Sequence, residues 1–154
     1  MTTTILTVDV MSDYEIEKDK IHIFTDGACS GNPGPMGIGC VYVHIDDSGN
    51  ETTKEIAESI GVGTNNIAEL TAIKRGLEGV KRRSMDVVVH TDSRYSIGAL
   101  TGKNKVRANA ELISTITELM KDFNNVTFRY VAGHSGNKYN EKADQLATCG
   151  AWCF

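Results

Sequence analysis

Two apolar runs in this chain lead directly into an aspartate. Ile21, Ile23 and Phe24 precede Thr25-Asp26, and Val87-Val88-Val89 precede His90-Thr91-Asp92. Continuous apolar runs of this kind mark strands buried on both faces, which is the situation of central strands in a helix-covered sheet. Where such strands are parallel, ligands gather beyond their carboxyl ends. If both are central and parallel, the two segments place two carboxylates at one polar mouth.

The remaining pattern supplies neighbours for that sheet. A glycine-proline turn is expected over 27–39 and a second apolar strand over Ile38 to Ile45. Asp46-Asp47-Ser48-Gly49-Asn50 is a hairpin signal that returns Glu51 to Ile60 antiparallel. Thr64-Asn65-Asn66 offers a helix cap, with Asn65 itself one candidate, and Ile67, Leu70, Ile73, Leu77 and Val80 follow at helical spacing. A short helix is expected from Ser93 to Leu100, a longer one from Asn109 to Phe123, a fifth strand around Val126 to Tyr130, and a last helix from Tyr139 to Ala147. The reading is a mixed α/β domain, a five-stranded sheet with helices packed on it.

A chain of 154 residues, 40% of them hydrophobic, accommodates one domain with a sufficient core. No apolar run approaches the roughly 18 residues of a membrane span, and no signal peptide is evident, so a soluble cytoplasmic monomer is the expectation. Cys29, Cys40, Cys149 and Cys153 lack zinc-type spacing and are expected as reduced thiols. The net charge of −4 argues against gripping nucleic acid through overall positive field. It does not argue against a nucleic-acid enzyme, because carboxylates reserved for cations count as negative until the cation binds.

Four acids stand out by their surroundings: Asp26, Glu69 in Thr64-Asn65-Asn66-Ile67-Ala68-Glu69-Leu70, Asp92, and Asp144 in Asn140-Glu141-Lys142-Ala143-Asp144-Gln145-Leu146-Ala147. Taken singly, each has an ordinary explanation. Asp92 would serve as the cap of a helix starting at Ser93, and Glu69 and Asp144 as solvated helix residues. Converged, they form an all-oxygen donor set that selects magnesium or manganese over zinc.

These segments, in this order, resemble type 1 ribonuclease H. The likeness runs from residue 21 to about 148 and includes Thr25-Asp26-Gly27-Ala28-Cys29-Ser30-Gly31-Asn32-Pro33-Gly34-Pro35, the Glu69 block, Thr91-Asp92-Ser93-Arg94-Tyr95, and Gly133-His134-Ser135-Gly136-Asn137 with the Asp144 block. It implies a ribonuclease H-like fold, in which the first three strands form an antiparallel meander and the fourth and fifth run parallel to the first. It implies hydrolysis of the RNA strand of an RNA/DNA hybrid, leaving 5′-phosphate and 3′-hydroxyl ends, with two Mg2+ ions roughly 4 Å apart and Mn2+ as a substitute. Asp26 would bridge the ions, Asp144 would complete the water-activating one, and Glu69 and Asp92 would hold the other.

The resemblance further implies that His134 assists proton transfer or release of product and metal. It gives Gly27 to substrate binding, Asn32, Asn65 and Asn66 to the hybrid's minor groove, where an amide can read a ribose hydroxyl that DNA lacks, and Thr64 to a DNA phosphate. Residues 20–150 would form the catalytic domain, 151–154 a tail, and 1–19 a leader that is an extra strand, an arm or a remnant. The basic insertion of many bacterial relatives is absent, leaving Lys103, Lys105 and Arg107 between the two middle helices. Two other readings stay open, a ribonuclease H domain of a reverse transcriptase and a noncatalytic hybrid-binding module.

Overall fold

The computed structural model describes residues 2–3, 16–133 and 136–152. Its strands are β1 (Thr2–Thr3), β2 (Ile21–Cys29), β3 (Gly34–Ile45), β4 (Glu51–Gly63), β5 (Asp86–Thr91) and β6 (Asn125–Tyr130). Its helices are α1 (Asn65–Glu78), α2 (Arg94–Leu100), α3 (Ala110–Met120) and α4 (Lys138–Trp152). The sheet order is β1-β6-β5-β2-β3-β4. The five expected strands are present: β2, β3 and β4 form the antiparallel meander, while β5 and β6 continue parallel to β2. The two-residue β1 adds a parallel edge beside β6.

Alternation along the strands divides the core between the two faces. Ile23, Val87, Val89, Val126 and Phe128 pack with Leu70, Ile73 and Leu77 of α1, Ile97 of α2 and Ile116 of α3. Phe24, Val41 and Val43 face Tyr139 and Ala143 of α4. Val87, Val88 and Val89 are at most 1% exposed, as a central strand requires. Each fully buried aliphatic side chain contributes about 1.5–3 kcal/mol, so the three inward residues of α1 alone hold that helix to the sheet.

Several boundaries differ from the sequence reading, for identifiable reasons. The glycine-proline turn is far shorter than 27–39, because β2 continues to Cys29 and β3 begins at Gly34. Ser30 N–H donates to the Pro35 carbonyl at 2.7 Å and closes the turn tightly. Helix α1 is capped by Thr64, whose Oγ1 accepts from Ile67 N–H, and not by Asn65. Helix α4 runs to Trp152, past the expected end at Ala147, and its Gly150 lies against the Glu58 carbonyl of β4. The expected hairpin is in place, with Asp46 Oδ1 accepting from the backbone of Ser48 and Asn50 at 2.9 Å. Cys29 and Cys40 are free thiols, and Cys153 lies outside the described residues. Among the described residues, no helix is long and apolar enough to cross a membrane.

On the α4 face, two buried histidines form a directed chain. Glu17 N–H donates to His22 Nε2 at 3.0 Å, so the His22 ring proton sits on Nδ1 and is donated to His90 Nε2, 2.8 Å away. The His90 ring stacks on Phe24. Burial pushes the His22 imidazole down to about 4, with the Arg129 and Lys20 charges in the same direction and Glu17 opposing. Because the folded value lies below the unfolded 6.5, the stability from neutral His22 is complete above pH 6.5 and is lost as pH falls toward 4. His22→Gln removes the titration. The variant is expected to be less stable than the parent at pH 7.5, with the gap narrowing by roughly 2–3 kcal/mol at pH 4.5 in urea denaturation.

Candidate active site

The site is built where β2 and β5 part. Their parallel ladder ends at Phe24 and His90, while β2 stays paired to β3 on its other side through Cys29. Asp26 therefore sits within a strand, beside the gap left by β5, and is 5% exposed. Asp92 directly follows the end of β5. It does not cap the next helix, since Ser93 takes that place by accepting from Ser96 N–H.

Close backbone contacts bring the other two acids in. A methyl group on Gly27 would lie 2.3 Å from the Ala68 carbonyl carbon, so only glycine lets α1 press this closely on β2. Gly27 N–H then donates both to Glu69 Oε1 at 2.8 Å and to Asp26 Oδ1 at 3.0 Å, holding the two carboxylates side by side. On the opposite face, Gly39 is the cross-strand partner of Asp26. A methyl group there would stand 2.2 Å from the Ala143 carbonyl oxygen. The missing side chain seats α4 against the strand, and Asp144, the next residue along, comes into hydrogen-bonding contact with Asp26.

One oxygen each from Asp26, Glu69 and Asp92 lies within 4.8 Å of the others. Burial pushes the Asp26 carboxyl up to about 10, reinforced by Glu69, Asp92 and Asp144. Glu69 rises to about 8, first through burial and then through the charge of Asp92, with the Gly27 N–H opposing. Buried like charges at this spacing need either protons or a cation. Hard oxygen donors of this kind fit a small divalent ion with bonds of about 2.1 Å.

The remaining candidates occupy the rim. Asn65 and Asn66 are exposed in the first turn of α1, and Asn65 N–H donates to Asn32 Oδ1 at 3.1 Å, tying the β2–β3 turn to the helix start. Thr64 immediately precedes them as the cap. His134 lies outside the described residues, but its neighbour Gly133 stands against Asp92, where an added methyl would be 3.0 Å from Oδ2. Sequence reasoning gave no role to Gly39 or Asn140. Gly39 falls where the expected turn and the expected strand from Ile38 overlap, while Asn140 has a usable signal, its position four residues before Asp144 on the same helix face.

Comparison with known proteins agrees with this architecture. The family model described as RNase H matches residues 18–152. Ribonuclease H of Rhodospirillum rubrum is 37% identical over 148 residues, covering 88% of this chain and 86% of its own. Ribonuclease H of Pseudomonas fluorescens is 41% identical over 145 residues, covering 86% and 92%. The crystal structure of LC11-RNase H1 in complex with RNA/DNA hybrid superposes with a TM-score of 0.72 at 34% identity, covering 86% of this chain and 96% of that one. With a matching family model over nearly the whole sheet-and-helix body, and relatives of this similarity in both sequence and fold, the chain belongs to the ribonuclease H family of enzymes.

Proposed function

We propose that the protein hydrolyses the RNA strand of RNA/DNA hybrids, leaving 5′-phosphate and 3′-hydroxyl ends, with two Mg2+ ions that Mn2+ can replace. The observation that carries this reading is the convergence of Asp26, Glu69 and Asp92, with Asp144 against Asp26, in a ribonuclease H family fold. Asp26 would be the ligand shared by both ions, Glu69 and Asp92 would help hold one, and Asp144 would help hold the other. Bound ions of this kind activate water and stabilise the charge on the leaving oxygen. The chain's own contribution is to fix the carboxylates: the bifurcated Gly27 N–H and the close seating of α1 and α4 leave them little freedom to turn away.

Substrate selection falls to the rim. Asn32, Asn65 and Asn66 face the minor groove, and their carboxamides both donate and accept toward a 2′-hydroxyl. Thr64 uses its oxygen as an acceptor for Ile67 N–H, so its hydroxyl proton remains for a DNA phosphate at the helix start. His134, next to the glycine that abuts Asp92, assists proton transfer or product release. Exposed Lys103, Lys105 and Arg107 take part of the load that a basic insertion would carry. Binding through few cations should be modest in affinity, with a salt dependence that scales with the small number of phosphates contacted.

A strand-labelled hybrid offered with Mg2+ is expected to lose its RNA strand while duplex DNA survives; a folded protein that cuts neither in Mg2+ nor in Mn2+ contradicts the reading. The same assay has an expected pH signature. Protons on Asp26 and Glu69 compete with the ions, so at limiting Mg2+ the rate should rise from pH 6 to 9, and more Mg2+ should shift the profile toward lower pH.

A further inference from the structure

Asn140 is 3% exposed and lies one helical turn before Asp144 on α4. Its backbone N–H is taken by Asn137 Oδ1 at 3.0 Å. Its side-chain oxygen is buried and has no hydrogen-bond partner among the described residues. An orphaned acceptor of this kind costs about 1–3 kcal/mol. The inward residues further along the helix, Ala143, Ala147 and Ala151, avoid that cost by being apolar.

The surroundings indicate what the missing partner is. Asn140 lines a narrow cleft with Asp92, Gly133, Glu141 and Asp144. The cleft has a volume of about 10 Å³, enough for a single water. Among its lining residues, Asp92, Glu141 and Asp144 carry carboxylates and Asn140 a carboxamide. A water there can donate two hydrogen bonds, and a nearby divalent cation supplies the positive charge that makes it a stronger donor.

We propose that Asn140 is a positioning residue: its side-chain oxygen accepts one hydrogen bond from a water seated between Asp92 and Asp144, and so sets the orientation of that water, whose second proton goes to one of the two carboxylates, when the cation binds. The inference rests on the reading of Asp92 and Asp144 as cation ligands. It also accounts for a buried asparagine whose side-chain oxygen has no partner among the described residues. Partners of this outer kind typically change metal affinity or activity by about 10–100-fold when removed.

The test uses the full chain with Asn140→Ala and Asn140→Asp. Removing the orphaned oxygen should leave the metal-free Tm unchanged or higher, yet reduce the Mg2+ affinity read from the Mg2+-induced rise in Tm, without nucleic acid, by about 10–100-fold. On hybrid, Asn140→Ala should lower kcat by a similar factor with KM unchanged. Asn140→Asp keeps an acceptor in place and should recover most of both losses. The proposal is overturned if Asn140→Ala retains parental Mg2+ affinity and kcat, or if its metal-free Tm falls by several degrees and Asn140→Asp restores nothing. If the parent protein cuts no hybrid, the function reading fails separately, and the Mg2+ titration still decides the role of Asn140.

Discussion

Asp26→Asn is expected to abolish cleavage, to leave hybrid binding intact, and to make the metal-free protein more stable. Loss of the ligand proposed to be shared would remove several kcal/mol of charge stabilisation in the transition state, a rate loss on the order of 10³-fold or more. Binding should survive because the rim groups proposed to hold the hybrid, those of Asn32, Thr64, Asn65 and Asn66, do not depend on the carboxylate charge. The gain in stability follows from linkage. The folded pKa of about 10 lies far above the unfolded value of 3.8, so stability is complete below about pH 4 and is lost as pH rises toward 10. An amide does not titrate, and its oxygen still accepts from Gly27 N–H. At pH 7 the variant should gain roughly 2–4 kcal/mol, or about 5–10 °C in Tm, over the metal-free parent, and added Mg2+ should narrow the difference. Calorimetry with and without Mg2+, beside a gel-shift and a cleavage assay, measures all three effects. A variant that still cuts the RNA strand contradicts the assignment of Asp26.

Gly39→Ala is expected to be nearly as damaging, although the residue carries no functional group. The added methyl would meet the Ala143 carbonyl at 2.2 Å and the Ala147 nitrogen at 2.7 Å, both backbone atoms that cannot swing aside. Helix α4 must therefore move outward and take Asp144 with it. Overpacking of this kind costs about 1–3 kcal/mol, and a displacement near 1 Å at a reacting centre can cost about 10²-fold in rate. Urea denaturation and kcat report the two losses. A variant with full kcat would mean that the contact between α4 and β3 does not set the position of Asp144.

These two positions also show what was legible in the sequence. The apolar runs ending at Asp26 and Asp92 pointed to central strands because burial on both faces leaves a continuous pattern, and the hairpin at Asp46 to Asn50 followed from its turn residues. The glycines were harder. Gly27 and Gly37 read as loop punctuation, and Gly39 as the overlap of turn and strand, whereas all three lie within paired strands, where glycine is needed so that helix backbone can approach strand backbone. That need comes from residues more than 100 positions away in the case of α4, and local pattern holds no trace of it. The same blindness ended α4 too early, since Gly150 is also a contact glycine.

Capping showed a smaller version of the problem. Thr64 and Asn65 are both good caps by type, as are Asp92 and Ser93, and only the path of the backbone decides between neighbours. Asn140 was legible only in its place one turn before Asp144; that its side-chain oxygen lacks a partner is a property of the folded surroundings. The pairing of His22 with His90 likewise depends on β2 and β5 being adjacent in parallel register.

The central claim is that the four carboxylates form one divalent-cation site. Crystals of the protein soaked in Mn2+ and measured for anomalous scattering test it most directly. The expected result is a peak bounded by oxygens of Asp26, Glu69 and Asp92, at distances of about 2.0–2.3 Å, that disappears in Asp26→Asn. Saturating Mn2+ with no peak among these carboxylates, or a peak that persists unchanged in the variant, would contradict the account.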